Sequence, residues 1–258
     1  MFDLYELLGK RFGISRFRSL AGISQYRNLW KLVSKHVSPS ADVLDWGCGN
    51  GHFTYFLHQS GYSVTGYYVY GQCELQKLLE ESGCKVVRGH DSVKLPFQDE
   101  SFDAVASVGV LEHVRETGGN EPDSLRELAR VLRPKGIIIC YHLPNRHSWI
   151  DLVGWRLRFL SLGGSHPYRY TMHDIERLTI DAGLKLMLVA RYGSIPRNPL
   201  GMLPKKLRES ISFAAVWDSL DKALQFVLSP ICQNYLFVAQ KNSSSSSRIL
   251  TGDGKQPP

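Results

Sequence analysis

From Asp42 onward the chain alternates short apolar runs with amphipathic stretches: "DVLDW" is followed by residues 51–60, "SVTGYYV" by 72–82, and "FDAVASV" by 123–132. "KVVRG" and "GIIICYHL" are two further short apolar runs. Apolar runs of this length, alternating with helix-length segments, predict βαβ units and a parallel sheet. The three isoleucines of "GIIIC" suit a strand buried on both faces, and Arg133-Pro134-Lys135-Gly136 before them predicts a helix stop and a turn. Further on, "TMHDIERLTIDAGLKLMLVARY" predicts a helix capped by Thr171, stopped by Gly183 and followed by a strand. "NYLFVAQK", after Pro230, predicts the last strand.

The connections at 143–171 and 194–232 are too long to be turns and should hold structure of their own. Within the second, Phe213, Val216, Leu220, Leu224 and Val227 recur at helical spacing and predict one apolar stripe, to be buried in the core or turned to a membrane. The expected organisation is an N-terminal helical cap over 1–40, a main domain over 41–242 carrying both inserts, and a serine-rich disordered tail over 243–258.

Charge and cysteine content narrow the picture. Five cysteines without a Cys-x-x-Cys pair argue against a disulfide framework and a zinc knuckle, and for a reducing, cytoplasmic setting. No run reaches the ~20 apolar residues of a membrane-spanning helix, and the acids Asp3 and Glu6 count against a secretory or mitochondrial leader, although Arg11, Arg16 and Arg18 lie among serines. The net charge of +7 is concentrated in two segments: 1–37 holds seven Lys/Arg against two acids, and 194–232 holds five against three. Without the dense stripe of a nucleic-acid groove, this distribution predicts no nucleic-acid partner. It points instead to peripheral membrane contact or an anionic acceptor through 1–37 and 194–232, with Arg197, Lys205, Lys206 and Arg208 on that surface.

The stretch "VLDWGCGNGHF" carries the candidate chemistry. A strand ending in Gly-x-Gly-x-Gly before a helix lets the backbone turn sharply and approach a ligand without Cβ interference. Asp45 precedes the first glycine, where it would repel a pyrophosphate and favour a ligand with a cationic amino group.

Asp45-Trp46-Gly47-Cys48-Gly49-Asn50-Gly51 resembles motif I of the class I S-adenosylmethionine-dependent methyltransferases. "VVRGHDSVKLPFQDESFDAVASVGVLEHV" and "LRELARVLRPKGIIIC" resemble, in order, further segments of the ubiquinone/menaquinone-type group. The resemblance covers residues 41–192. It implies a Rossmann-like, doubly wound, mostly parallel seven-stranded sheet with an antiparallel last strand, and S-adenosyl-L-methionine as cofactor. It further implies that Asp45, Gly47, Cys48, Gly49 and Gly51 form the methionine end and floor of the cofactor pocket. Asp91 would accept the adenine amino hydrogen beside Ser92, and Ser107 with Val108 would line the pocket where the fourth strand ends. Tyr68 departs from the pattern, because the family's second strand usually ends in a carboxylate that binds both ribose hydroxyls, and a phenol offers one oxygen. Two expectations follow: an enzyme with a weakened ribose contact, or a non-catalytic binding or assembly subunit.

The acceptor expected for an enzyme is a small-molecule, aromatic or lipid-like hydroxyl, whose proton a general base removes. Glu112 and His113 of "LEHV" follow the strand bordering the cofactor, with His142, His147 and His166 further on. His113 is the first choice as base; the alternative is a histidine that packs under the cofactor loop. Trp149, Trp155, Phe159, Tyr168 and Tyr170, rimmed by Arg156 and Arg158, would form either an aromatic acceptor pocket or a satellite core. No His-x-x-x-His or His/Cys spacing points to a metal, and none is expected.

Overall fold

The computed structural model describes residues 18–156 and 166–243. Phe159, Arg158, most of the serine-rich tail, and Arg11 and Arg16 of the N-terminal basic segment lie outside the described residues, as do the side chains of Trp155 and Arg156.

Seven strands form one sheet in the order β3-β2-β1-β4-β5-β7-β6: β1 (Asp42–Trp46), β2 (Ser63–Tyr68), β3 (Lys85–Arg88), β4 (Phe102–Val108), β5 (Leu132–Pro144), β6 (Leu184–Tyr192) and β7 (Asn234–Lys241). β1, β2, β3, β4 and β5 pair in parallel. β7 runs antiparallel to both β5 and β6, as the family resemblance implied. The predicted turn at Arg133–Gly136 is instead taken into β5: Lys135 adopts φ +63, and the register against β4 shifts between Phe102 and Ala104. An irregularity of that kind absorbs the break that the proline and glycine impose.

Helices cover both faces. On one side lie α1 (Leu20–His36), α2 (His52–Gln59) and α3 (Gln76–Glu81), which seat Leu29, Leu57 and Leu79 against Val43, Val64 and Ile139 of the sheet. On the other, α4 (Glu121–Val131) and α6 (Met172–Asp181), preceded in the chain by α5 (Trp149–Arg156), bring Leu125, Leu128 and Ile175 onto Leu44, Val105 and Ile138. Strand side chains alternate between faces, so both sides of a central parallel sheet need such cover. Thr171 caps α6 as predicted, in a reciprocal capping box with Asp174 that satisfies two otherwise orphaned donors.

The 194–232 insert does contain structure: α7 (Lys205–Arg208) and the long α8 (Ile211–Leu228). Its apolar stripe is core only in part: Phe213 packs on the buried cluster, whereas Val216 is 66 %, Leu220 48 % and Val227 73 % exposed. The buried side lies next to the stripe, with Ala214 and Asp221 buried and Trp217 packed on the core, and there α8 meets α1 through a buried polar knot. Arg197 donates to Ala21 O (2.7 Å), Ser24 Oγ (2.8 Å), Asp218 Oδ1 (2.7 Å) and Asp221 Oδ2 (2.7 Å). The expectation that Arg197 belongs to a basic surface is therefore corrected, since its side chain is only 10 % exposed and neutralised by two carboxylates.

Removing one member of a buried ion pair leaves uncompensated charge, at a cost of about 3 kcal/mol. Arg197→Ala should lower the unfolding free energy by about that amount, read as an earlier urea midpoint. Loss under about 0.5 kcal/mol, the range of a surface substitution, would show that the knot contributes no stability.

Candidate functional site

The chain leaves β1 through a loop pinned to the neighbouring strand. Gly47 N and Cys48 N both donate to Tyr67 O, at 2.8 and 2.9 Å. Gly47, Gly49 and Gly51 all adopt positive φ, but for different surroundings. A Cβ on Gly47 would lie 2.4 Å from Val110 Cγ2, and one on Gly51 2.7 Å from both Cys73 Sγ and Leu79 Cδ1. At Gly49 the space is open, with nothing nearer than Gly47 O at 4.0 Å. The first and third glycines thus admit packing, and the middle one admits a ligand.

Over this loop lies a cavity of ≈ 380 Å³ at the carboxyl ends of β1, β2 and β4, the usual ligand position in a parallel sheet. Of the residues singled out from the sequence, Gly47, Gly49, Tyr68, Ser92 and His113 line it. Trp46, Val69, Val110 and Thr117 also line it and carried no sequence signal beyond their neighbours; Ser92 Oγ and Thr117 Oγ1 share a 2.7 Å hydrogen bond.

The others stand behind the wall or beside it. Asp45 is buried and takes a 2.6 Å hydrogen bond from Thr54 Oγ1 of α2. Cys48 is buried with its thiol beside that of Cys73. Ser107 is buried opposite Cys140, and Val108 packs on the core. Asp91 serves its own turn: Oδ1 accepts from Val93 N (2.6 Å) and Lys94 N (3.1 Å), while its carbonyl accepts from Tyr67 Oη. Tyr68, in the wall itself, is largely buried, with its hydroxyl donating to Gln76 Oε1 at 3.2 Å.

A second cavity of ≈ 330 Å³ adjoins the first and shares Gly109 and His113 with it. Its walls come from α1 (Gln25, Asn28), β5 (Tyr141, His142), Tyr192 and the inner face of α8 (Asp218, Asp221). His113 stands between the two, with Nδ1 2.8 Å from Glu116 Oε1 and Nε2 4.0 Å from Glu112 Oε1. A carboxylate only accepts, so Nδ1 carries the proton of the neutral ring and Nε2 is the basic nitrogen. Glu112, His113 and His166 bring ligand atoms within 4.8 Å of one another, a grouping invisible to local spacing that could hold a divalent cation. The described members of the expected aromatic pocket are engaged separately. Trp149 Nε1 donates to Ser194 O (2.9 Å), Tyr170 Oη to Glu121 Oε1 (2.7 Å), and Tyr168 lies under Arg115.

Burial pushes the Asp45 carboxyl up to about 7. The native state therefore holds this proton more tightly than the unfolded chain, and ionised Asp45 weakens the fold above that pH, with the penalty fading as pH falls toward about 4. In urea titrations from about pH 8 to 5, the wild type should gain stability relative to Asp45→Asn; parallel curves would refute it. Gly47→Ala, strained and overpacked, should destabilise by about 2–4 kcal/mol, whereas Gly49→Ala, strained by its positive φ but not overpacked, should cost only about 1–2 kcal/mol by the same titration.

Comparison with known proteins fits this geometry. A family model described as a methyltransferase domain matches residues 44–140. The mouse (Mus musculus) protein named probable tRNA methyltransferase 9B is 33 % identical over 106 residues, 40 % of this chain and 22 % of that protein. The chain spans less than a third of the length of the tRNA methyltransferase 9B relatives. These relatives overturn the expectation that nucleic acid is excluded as a partner: charge pattern alone did not register a domain that proteins named for tRNA also carry. A protein of Encephalitozoon cuniculi named as a methyltransferase is 32 % identical over 61 % of this chain and 76 % of its own length. The crystal structure of Burkholderia thailandensis 1,6-didemethyltoxoflavin-N1-methyltransferase, with S-adenosylhomocysteine bound, superposes with a TM-score of 0.54 at 16 % identity, covering 87 % of this chain and 85 % of that one. The chain belongs to the class I S-adenosylmethionine-dependent methyltransferases.

Proposed function

We propose that S-adenosylmethionine occupies the cavity over Gly49 and that a hydroxyl of a small, polar-headed or lipid-like molecule enters the adjoining cavity to receive the methyl group. The observation that carries this reading is the shared wall: His113, with its Nε2 free of the Glu116 bond, stands where the two cavities meet. The cofactor supplies an activated methyl group. The protein's part is to orient the acceptor and to take its proton on Nε2, leaving the Glu116 carboxylate to stabilise the imidazolium that results. The cavity is open despite Tyr68, which favours the enzyme over the non-catalytic alternative.

For the remaining cofactor contacts, Ser92, Thr117 and the Tyr68 hydroxyl are the polar groups at hand, with the α2 N-terminus at Gly51–His52 following the glycine loop. Asp45 acts from below by holding Thr54. The apolar side chains Val216, Leu220, Phe226 and Val227 exposed on α8, together with the exposed Lys205 and Lys206 on α7, support presentation of a lipid-like acceptor at an anionic membrane surface. No helix among the described residues is long and apolar enough to cross a membrane.

A second reading takes the acceptor group from RNA. It is favoured by the relatives named for tRNA methylation and by the exposed Arg146, Arg169 and Arg177, which surround a surface hollow with Arg115 and Tyr168 near His166. Tritiated S-adenosylmethionine offered with an organic extract and, separately, with bulk tRNA distinguishes the two. Label in the extract supports the first reading, and label in RNA alone replaces it with the second. Gly49→Val should abolish calorimetric binding of S-adenosylhomocysteine; undiminished affinity would place the cofactor elsewhere. His113→Ala should lower turnover by about a hundredfold or more while changing cofactor affinity far less; retained turnover would remove His113 as base.

A further inference from the structure

Among the described residues, five side-chain carboxamides line the second cavity, and the fold uses only one of them. That one is Gln225, whose Nε2 donates to Arg191 O at 2.5 Å. Gln25 and Asn28, three residues apart and so on one face of α1, and Gln233 and Asn234, where β7 begins, are half-buried and make no side-chain hydrogen bond to any described residue. Carboxamides outside the cavity contrast with them. Asn145 donates to Pro230 O and Cys232 O at 3.0 and 2.7 Å and accepts from His147 N at 3.1 Å, and Gln240 donates to Lys135 O at 3.0 Å. Open donors and acceptors that converge on one cavity favour a ligand that replaces water with matched hydrogen bonds.

Charge in this wall does not select a ligand. Arg197 is taken up by Asp218 and Asp221, and those carboxylates also accept from Ser24 Oγ, Ser194 N and Ile195 N. Glu112 and Lys222, which also line the cavity, are opposite in sign. The groups left open are neutral amides, each with two N–H donors and an acceptor oxygen. A hydroxyl likewise both donates and accepts, so the best match is a neutral ligand with hydroxyls around its rim. A flat nucleobase suits the wall less well, because it needs an open aromatic face to stack on, and the rings of Tyr141 and Tyr192 stack on each other with centroids 4.4 Å apart. At ≈ 330 Å³ the cavity has room for one sugar-sized ring, at the small end of the roughly 300–1,000 Å³ of ligand cavities.

We propose that the second cavity is a saccharide subsite, in which Gln25, Asn28, Gln233 and Asn234 bind a neutral polyhydroxylated ring that carries the methyl-accepting hydroxyl. Transfer to it makes one O–CH3 bond as one S–CH3 bond breaks, yielding S-adenosylhomocysteine and releasing the hydroxyl proton. The inference deepens, and rests on, the reading of the second cavity as the acceptor site.

Saturation-transfer spectra of the full chain, with S-adenosylhomocysteine present, test the binding without turnover. The probes are the methyl glycosides of glucose, galactose, mannose and rhamnose, with 1-methyluracil and 1-hexanol as competitors. At least one glycoside should receive saturation at its ring protons, and neither competitor should displace it. Asn28→Leu and Gln233→Met, close in volume to the native residues and on separate segments, should each weaken that glycoside about tenfold, the effect of one lost hydrogen-bonding group. Both should keep S-adenosylhomocysteine affinity within about twofold of wild type, and Asn234→Leu takes the place of either one that fails to fold. Silence of all four glycosides, displacement by 1-methyluracil or 1-hexanol, or affinity indifferent to the substitutions would overturn the proposal. Tritiated S-adenosylmethionine offered with the bound glycoside tests the reading beneath it. Label in the sugar supports both, whereas binding without label upholds the saccharide subsite and removes the acceptor role of the cavity.

Discussion

Two backbone N–H groups converge on one carbonyl, that of Tyr67, and the ligand end of the sheet is organised around that contact. To bring Gly47 N and Cys48 N onto a single oxygen the chain must turn through a left-handed residue as it leaves β1, so the first glycine is a requirement of geometry before any ligand is considered. Tyr67 extends the tie with its side chain, whose hydroxyl holds the Asp91 carbonyl beyond β3. One residue therefore ties together the loops after two strands, β1 and β3. The Val110 side chain then fills the space that a Cβ on Gly47 would need, bringing the loop after β4 into the same cluster.

The sheet and the glycine loop were legible because their causes are local: apolar runs of strand length, a proline and glycines at the turns, a threonine and an aspartate in a capping box. Direction within the tyrosine run was not. Residues 67 and 68 face opposite sides of β2, so the two phenols serve different ends: Tyr67 reaches Asp91 and Tyr68 reaches Gln76. Asp91 illustrates the same limit, since no spacing announced that Oδ1 of this short acidic side chain would accept from its own turn, at Val93 N and Lys94 N. The helical period of 211–228 was readable, but which azimuth would be buried was decided by Arg197, some distance upstream. The assembly of His113, His142, His166 and Tyr192 depends on contacts between segments far apart in the chain, for which a linear pattern has no signal.

The two cavities are built by different rules. The first is walled largely by glycine, aromatic and aliphatic groups with few polar atoms, and it sits at the carboxyl ends of the central parallel strands. The second is walled by imidazole, carboxylate, amide and phenol groups drawn from β5, β6, α1 and α8. Binding surfaces set on connections and added helices vary more freely than those set on a central sheet. That division suits a protein whose cofactor is common to its family while its relatives are named for different acceptors.

Arg197 gives the second cavity an inheritance rule. Because one guanidinium grips a carbonyl and a hydroxyl of α1 together with two carboxylates of α8, neither helix can be exchanged alone without stranding a buried charge. A chimera that imports this wall from a relative must carry both helices and the arginine as a single block, and divergence of the cavity is expected to proceed by linked changes at positions nearly two hundred residues apart in the chain.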